Sequence, residues 1–539
     1  MSTFKTPSSE LQASAKKYPN LAVFKLPQQS ATGTTYKDIS FLQFQKDVEA
    51  SARYWKDQLR SVGVQERAVV GVWLKGHAYK DAVHIWGLNW AGFIPQLVSL
   101  NMTNPSVIYE LLERAEAKAL IHEPGYASIL ENCPFPNLHA GDVVLEEDVK
   151  QLPSLVPWQP ADDDDALFIY HTSGSTSGIP KLVPITARWI NYVIGLSGLY
   201  EARANMSRDR MVSLHIGNFC HMAASFLTWF TVREGSCTIL PTVMPYPISE
   251  VQQLLDEQGL STVCMFPPYL SALLRQARKE PSLLESLKKA DVLGSGGLDP
   301  DPVDEAWGRS QGFHMLNVMG STEAGVVMMN DSRETSGYLE MIPGTKNEFI
   351  PVDKLESGEE LLELVLPADA PNCPVSNLRS ADGKFHTGDL FIEVALGKYL
   401  CKGRNDNWIK MTSGGRTDTL SIEVNVMETC GDDLVNAVVV VGVKRPCPTI
   451  VIEPKDKSLL EYEGADVEAS VQRLKEDVLR RITPFHQRRY THERIEDTRY
   501  IIVVPQGTLP RTVTKGNIRR QEVEKVFKPG LDAIYAEKA

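Results

Sequence analysis

The stretch that most constrains this chain follows a short apolar run, Ala166-Leu167-Phe168-Ile169-Tyr170, which reads as a buried strand. From Thr172 to Lys181, ten residues hold five hydroxyls, two glycines and one lysine. Gly174 and Gly178 let backbone N–H groups approach an anion closely. The hydroxyls of Thr172, Ser173, Ser175 and Thr176 add donors, and Lys181 adds a point charge. A loop of this kind cradles a polyphosphate. It is not the Walker arrangement, in which Gly-Lys precedes Ser or Thr, because here Pro180 precedes Lys181 and Leu182 follows it. Taken alone, the same composition also describes a flexible Ser/Gly loop.

A chain of 539 residues exceeds what one hydrophobic core serves, so at least two domains are expected. Helical periodicity over residues 41–62, a strand over 68–74 and helical spacing over 80–91 predict an α/β architecture with buried, mostly parallel strands. The run Asp162-Asp163-Asp164-Asp165 reads as a solvated linker, since adjacent carboxylates on an extended backbone point opposite ways. A second α/β region follows Gly403-Arg404-Asn405-Asp406, with an apolar strand over 437–441 and a helix over 466–481. The boundary falls near Asp406, giving domains of residues 1–404 and 405–539.

A formal net charge of -12 argues against nucleic acid or an anionic membrane as a bulk partner. Eight scattered cysteines without a Cys-x-x-Cys pair point away from disulfide or metal frameworks and toward a reducing compartment. The first residues lack a secretory apolar region, no apolar run reaches membrane-spanning length, and the end is not Ser-Lys-Leu. A cytoplasmic enzyme is the expectation.

Further motifs stand in order along the chain: Gly294-Ser295-Gly296-Gly297-Leu298, Asn317-Val318-Met319-Gly320-Ser321-Thr322-Glu323, His386-Thr387-Gly388-Asp389, Arg404, Asp406, and Thr514-Lys515-Gly516. With the loop at Thr172–Lys181, this ordered set resembles the AMP-forming adenylation superfamily of acyl-CoA synthetases, luciferases and nonribosomal-synthetase adenylation domains. The likeness runs over roughly residues 30 to 525 and suggests a stand-alone, fungal-type acid-activating enzyme. It implies a large N-terminal adenylation domain of mixed sheets and helices, with a small mobile α+β C-terminal domain hinged near Asp406.

The resemblance also implies roles. Thr172, Ser173, Gly174, Ser175, Thr176, Gly178 and Lys181 hold the phosphates of ATP. Gly296, Gly297, Asn317, Met319, Gly320 and Ser321 lie beside the nucleotide. Thr322 contacts phosphate and Glu323 holds Mg2+, a hard cation that prefers oxygen ligands. Asp389 accepts from the ribose hydroxyls, and Arg404 also reaches the nucleotide. Lys515 is the cation delivered to the reacting carboxylate and α-phosphate, with Lys410 as the other candidate. His221, Met222 and Phe266 lie at the acid. Met265, Met315 and Met319 also surround the pocket motifs, which favours an apolar aryl or acyl group. No aspartate stands in the His221 segment to pair an α-amino group, which disfavours amino-acid substrates.

Four departures from the family pattern stand out: the extra Ser177, Met319 in place of an aromatic, Ser413-Gly414-Gly415 where Asn-Gly-Glu is common, and Lys515-Gly516 in inverted order. The implied reaction is adenylation of a carboxylic acid with MgATP, release of pyrophosphate and thioester formation. Coenzyme A is the expected acceptor, because no carrier or reductase domain follows the motifs within these residues. Open alternatives are transfer to a carrier protein or an amine, and a nucleotide-binding paralogue that has lost turnover.

Overall fold

The computed structural model describes residues 4–31, 33–98, 102–130, 132–172, 180–204, 206–297, 300–354, 359–404, 408–413, 416–460, 465–511 and 518–536. The chain divides into two compact units. One comprises Met1–Leu100, Tyr109–His171 and Leu182–Asn405, and the other Asn101–Ile108, Thr172–Lys181 and Asp406–Ala539.

The larger unit is built on three sheets. Among the described residues, a nine-stranded sheet runs in the order Glu340–Met341, Gly325–Met329, Met315–Ser321, Val292–Gly296, Thr262–Met265, Val212–Leu214, Cys237–Ile239, Ala22–Ser30, Gly33–Ser40. Its centre is parallel and its margins are antiparallel. A six-stranded sheet carries Val69–Trp73, Ile94–Leu97, Ala119–His122 and Ala166–Thr172, paired in parallel as the sequence predicts. The hairpin Ala22–Ser30/Gly33–Ser40 joins the nine-stranded sheet through Phe24↔Thr238, a long-range pairing that no local pattern announces.

Side-chain alternation assigns each face of the nine-stranded sheet to its own layer. Val263, Met265, Leu293 and Met315 pack with helices Ile248–Glu257, Pro267–Ala277 and Pro281–Leu287. Met265 and Met315 are therefore core residues of this layer. Their neighbours Cys264, Val292 and Leu316 face the other way, into a cluster shared with the six-stranded sheet. Helix Phe41–Ser61 shows why this layer forms. Ser40 caps it by accepting the Gln43 N–H, and Phe41, Phe44, Val48, Ala52, Trp55 and Leu59 recur every three or four residues, all buried. Helix Tyr79–Trp90 is buried on nearly all sides, as expected of a helix enclosed between layers.

Asp162, Asp163 and Asp164 are exposed, and the half-buried Asp165 carboxylate after them accepts the N–H groups of Ala161 (2.8 Å) and Asp162 (3.1 Å). It organises backbone ahead of the strand Ala166–Thr172.

The smaller unit holds Val435–Val441, Thr449–Pro454 and Ile501–Val503 as a sheet, antiparallel and then parallel. Val438 and Val440 pack under helices Thr419–Cys430 and Ala465–His486, while Val439 and Val441 pack with Val523 and Leu531 of the last helices. Burial on both faces accounts for the unbroken valine run. No described helix is long and apolar enough to cross a membrane.

Phe44 is fully buried and meets Phe24 and Trp86 edge-on at 5.1 and 5.3 Å. Phe44→Ala is expected to destabilise the larger unit by about 3–5 kcal/mol, read as a fall in the urea midpoint. A loss below about 1 kcal/mol would contradict this packing.

Candidate active site

Strand register collects several motif residues at one edge of the nine-stranded sheet. Val292–Gly296 and Met315–Ser321 are parallel, with Ser295↔Asn317 and Gly296↔Val318 in register. Gly296, Gly297 and the segment 319–323 therefore lie at the same carboxyl edge, where open α/β sheets bind ligands. Thr262–Met265 ends beside them and continues into Phe266. The adjacent Val212–Leu214 leads to His221, which caps helix Met222–Glu234 by accepting the Ala223 N–H at 3.3 Å. The His221 ring stands edge-on to Phe266 at 6.1 Å. Its side chain keeps an exposed surface, yet desolvation by the protein around it lowers its pKa from the ordinary imidazole value. Met222, next in the chain, is buried in the core.

The turn bearing Thr322 and Glu323 is tied down by its own backbone. A Cβ on Gly320 would lie 2.4 Å from the Gly325 carbonyl oxygen, so only glycine fits there without moving main chain. Ser321 Oγ accepts the Ala324 N–H at 3.1 Å. The carbonyl of Glu323 accepts from Trp189 Nε1 at 2.9 Å, and that of Ala324 from Asn372 Nδ2 at 3.0 Å. Thr322 and Glu323 are both half-buried on this fixed turn.

Asn317 is used as a brace. Ser295 Oγ donates to its Oδ1 (3.1 Å), and its Nδ2 donates to Glu305 (3.0 Å), which is paired with Arg309 at 2.6 Å. Met319 packs with Leu364 and Phe391, joining this edge to the four-stranded antiparallel sheet that carries Asp389. Asp389 is 5% exposed, donates its N–H to Thr387 Oγ1 (3.0 Å) and lies in register with Arg404 on the next strand. Gly388 before it has φ 71°, a conformation glycine reaches at little cost. Thr387-Gly388-Asp389 is thus a kink inside the strand Phe385–Ala395.

Of the phosphate-loop residues, Thr172 ends the strand Ala166–Thr172 and exposed Lys181 begins Lys181–Thr186. Ser173, Gly174, Ser175, Thr176, Ser177 and Gly178 lie outside the described residues, as do Asp406, Gly414, Gly415 and Lys515. His171, directly before the loop, is clamped by the Leu97 carbonyl at Nδ1 (2.9 Å) and Gln96 at Nε2 (3.1 Å). Burial lowers its pKa to about 4, so it stays neutral.

In the smaller unit, Lys410 ends the strand Trp408–Lys410, opposite Arg416. The segment bearing Lys515 is bounded by Arg511 and Ile518, joined as an isolated antiparallel bridge. Arg511 pairs with buried Glu453 at 2.8 Å. Burial raises the Glu453 pKa, but Arg511 and the N–H groups of Leu509 and Gly507 prevail and hold it below the usual carboxylate value.

Trp189, Asn372, Glu305 and Glu363 brace these motifs and were missed from sequence. They stand 12 to 134 residues along the chain from the residues they hold, at separations that no local spacing pattern marks.

The family model described as AMP-binding enzyme matches residues 11–347, and that described as AMP-binding enzyme C-terminal domain matches 406–539. The chain is 31% identical over 518 residues to the AMP-binding domain-containing enzyme iboA of Amanita muscaria, covering 93% of this chain and 98% of that one. Its fold is similar to an o-succinylbenzoate CoA synthetase from Bacillus subtilis bound with a product analogue. The TM-score is 0.71 and identity 14%, with 96% of this chain and 98% of that chain covered. It is also similar to the amide bond synthetase McbA of Marinactinospora thermotolerans, with TM-score 0.70 and identity 16%, covering 96% and 99%.

Gly320→Ala is expected to displace the Ser321–Glu323 turn and weaken MgATP binding by about tenfold or more, measured calorimetrically on folded protein. Affinity within about twofold of the parent would show that the close approach to Gly325 does not set the turn.

Proposed function

The chain belongs to the AMP-binding enzyme family of adenylate-forming ligases, and from that premise we propose that it activates an apolar aryl or acyl carboxylic acid with MgATP and passes the acyl group to the thiol of coenzyme A. The observation that carries the reading is the shared carboxyl edge on which Gly296, Gly297, Thr322 and Glu323 meet, with His221 and Phe266 beside it.

Adenylation joins two anions, so the protein's task is positioning and charge neutralisation. In this reading Asp389 and Arg404 hold the ribose side, Thr322 and the loop at Thr172–Lys181 hold the phosphates, and His221, Met222 and Phe266 border the acid. Glu323 offers a half-buried carboxylate on a braced turn, which suits magnesium, a cation usually held by one or two carboxylates plus substrate phosphates. Bound there, magnesium would neutralise phosphate charge. Lys515, or alternatively Lys410, supplies the cation at the attacking carboxylate. A unit spanning residues 405–539 and hinged at Asp406 then rearranges for transfer to the thiol.

An acid panel assayed with coenzyme A and with hydroxylamine tests the whole reading. Pyrophosphate exchange and thioester with at least one apolar acid are expected. Hydroxamate without thioester would move the acceptor to a carrier protein or an amine. ATP binding with no exchange for any acid would make the chain a binder. Lys515→Ala is expected to suppress adenylate formation by roughly 10²-fold while thioester formation from supplied adenylate survives. Equal loss of both half-reactions would remove Lys515 from the adenylation step.

A further inference from the structure

The kink carrying Asp389 is tied to its sheet by one buried carboxylate. Glu363, on the strand Glu360–Leu366, is 8% exposed and divides its two oxygens. Oε1 accepts the Gly388 N–H at 3.0 Å, and Oε2 faces His386 Nδ1 at 3.0 Å. On the far side of the same ring, Nε2 meets Asp382 Oδ2 at 3.1 Å. The two strands slip register here: Glu363 pairs with Leu390 and Val365 with His386, so Thr387, Gly388 and Asp389 lack a register partner on that strand. Side chains replace the ladder. Thr387 Oγ1 donates to the Leu364 carbonyl at 2.8 Å, and Glu363 receives Gly388.

An imidazole donates from both nitrogens only when protonated. Among the described residues, the charged groups around His386 are Glu363 on the neighbouring strand, Asp382 and Lys384 in the preceding turn, and Glu348 on the strand beyond. Lys384 is paired with Glu348, which leaves His386 as the cation between Glu363 and Asp382. Hydrogen bonds to Glu363 and then Asp382 raise its pKa above the ordinary imidazole value.

We propose that His386 and Glu363 are positioning residues for Asp389, and that their contact makes nucleotide affinity fall as pH rises through the titration of His386. The inference rests on Asp389 holding the ribose. Protonated His386 pins Glu363 in the rotamer that receives the Gly388 N–H. Deprotonation leaves one N–H for two carboxylates, so Glu363 and Asp382 compete for it, the charge-assisted hold on the Glu363 rotamer weakens and the Gly388–Asp389 kink loosens. Because the folded-state pKa is raised, the clamp is complete below the unfolded value and lost as pH climbs through the folded one.

The test is the ATP dissociation constant, measured calorimetrically on the whole protein between about pH 6 and about pH 9. The parent should weaken about threefold to tenfold more across this range than His386→Gln or Glu363→Gln, the comparison cancelling titration of ATP itself. Both variants should bind weakly already at the acid end, with melting temperatures confirming that each is folded. Weak binding by Asp389→Asn together with an unaltered pH slope in His386→Gln would overturn this proposal alone. Parent-like affinity in Asp389→Asn would overturn the ribose reading and the proposal together.

Discussion

Two neighbouring strands, Val292–Gly296 and Met315–Ser321, approach their surroundings so closely that side chains are excluded at defined points. A Cβ on Gly294 would lie 2.6 Å from Cys264 Sγ, and one on Gly320 would lie 2.4 Å from the Gly325 carbonyl. The parallel register of the two strands puts Gly296, Gly297, Thr322 and Glu323 on one carboxyl edge. The bracing around it, by Trp189, Asn372, Ser295 and Glu305, consists of ordinary hydrogen bonds between 2.9 and 3.1 Å. Such bonds hold a turn in place more than they add stability.

Much of this was legible in the chain. The period of Phe41, Phe44, Val48, Trp55 and Leu59 gave away a helix, and the valine run at 437–441 an apolar strand. Motif order alone marked Thr322, Glu323 and Asp389 as residues to watch. What sequence could not reveal was partnership across distance. The hairpin at Ala22–Ser30 pairs with Cys237–Ile239, more than two hundred residues on, and Glu363 reaches Gly388 only because the strands slip register. Met265 and Met315 show how the two cases separate, since most apolar residues around pocket motifs are core. Apolar residues beside pocket motifs look like lining, but alternation along the strand turns these two into the core layer.

The smaller unit also braces backbone beside a motif with a buried carboxylate. Glu453, 1% exposed, gathers Arg511 and two backbone N–H groups next to the segment that carries Lys515. A buried carboxylate so fully bonded anchors one end of that segment. Glu363 does comparable work in the larger unit, fixing backbone beside Asp389.

In the proposed reaction a carboxylate oxygen of the substrate bonds to the α-phosphorus of ATP. An acid that supports turnover, labelled with oxygen-18 in its carboxyl group, tests this directly by mass spectrometry of the products. AMP carrying one labelled oxygen, with unlabelled pyrophosphate, is the expected result. Label in inorganic phosphate with ADP formed instead, or unlabelled AMP, would contradict it.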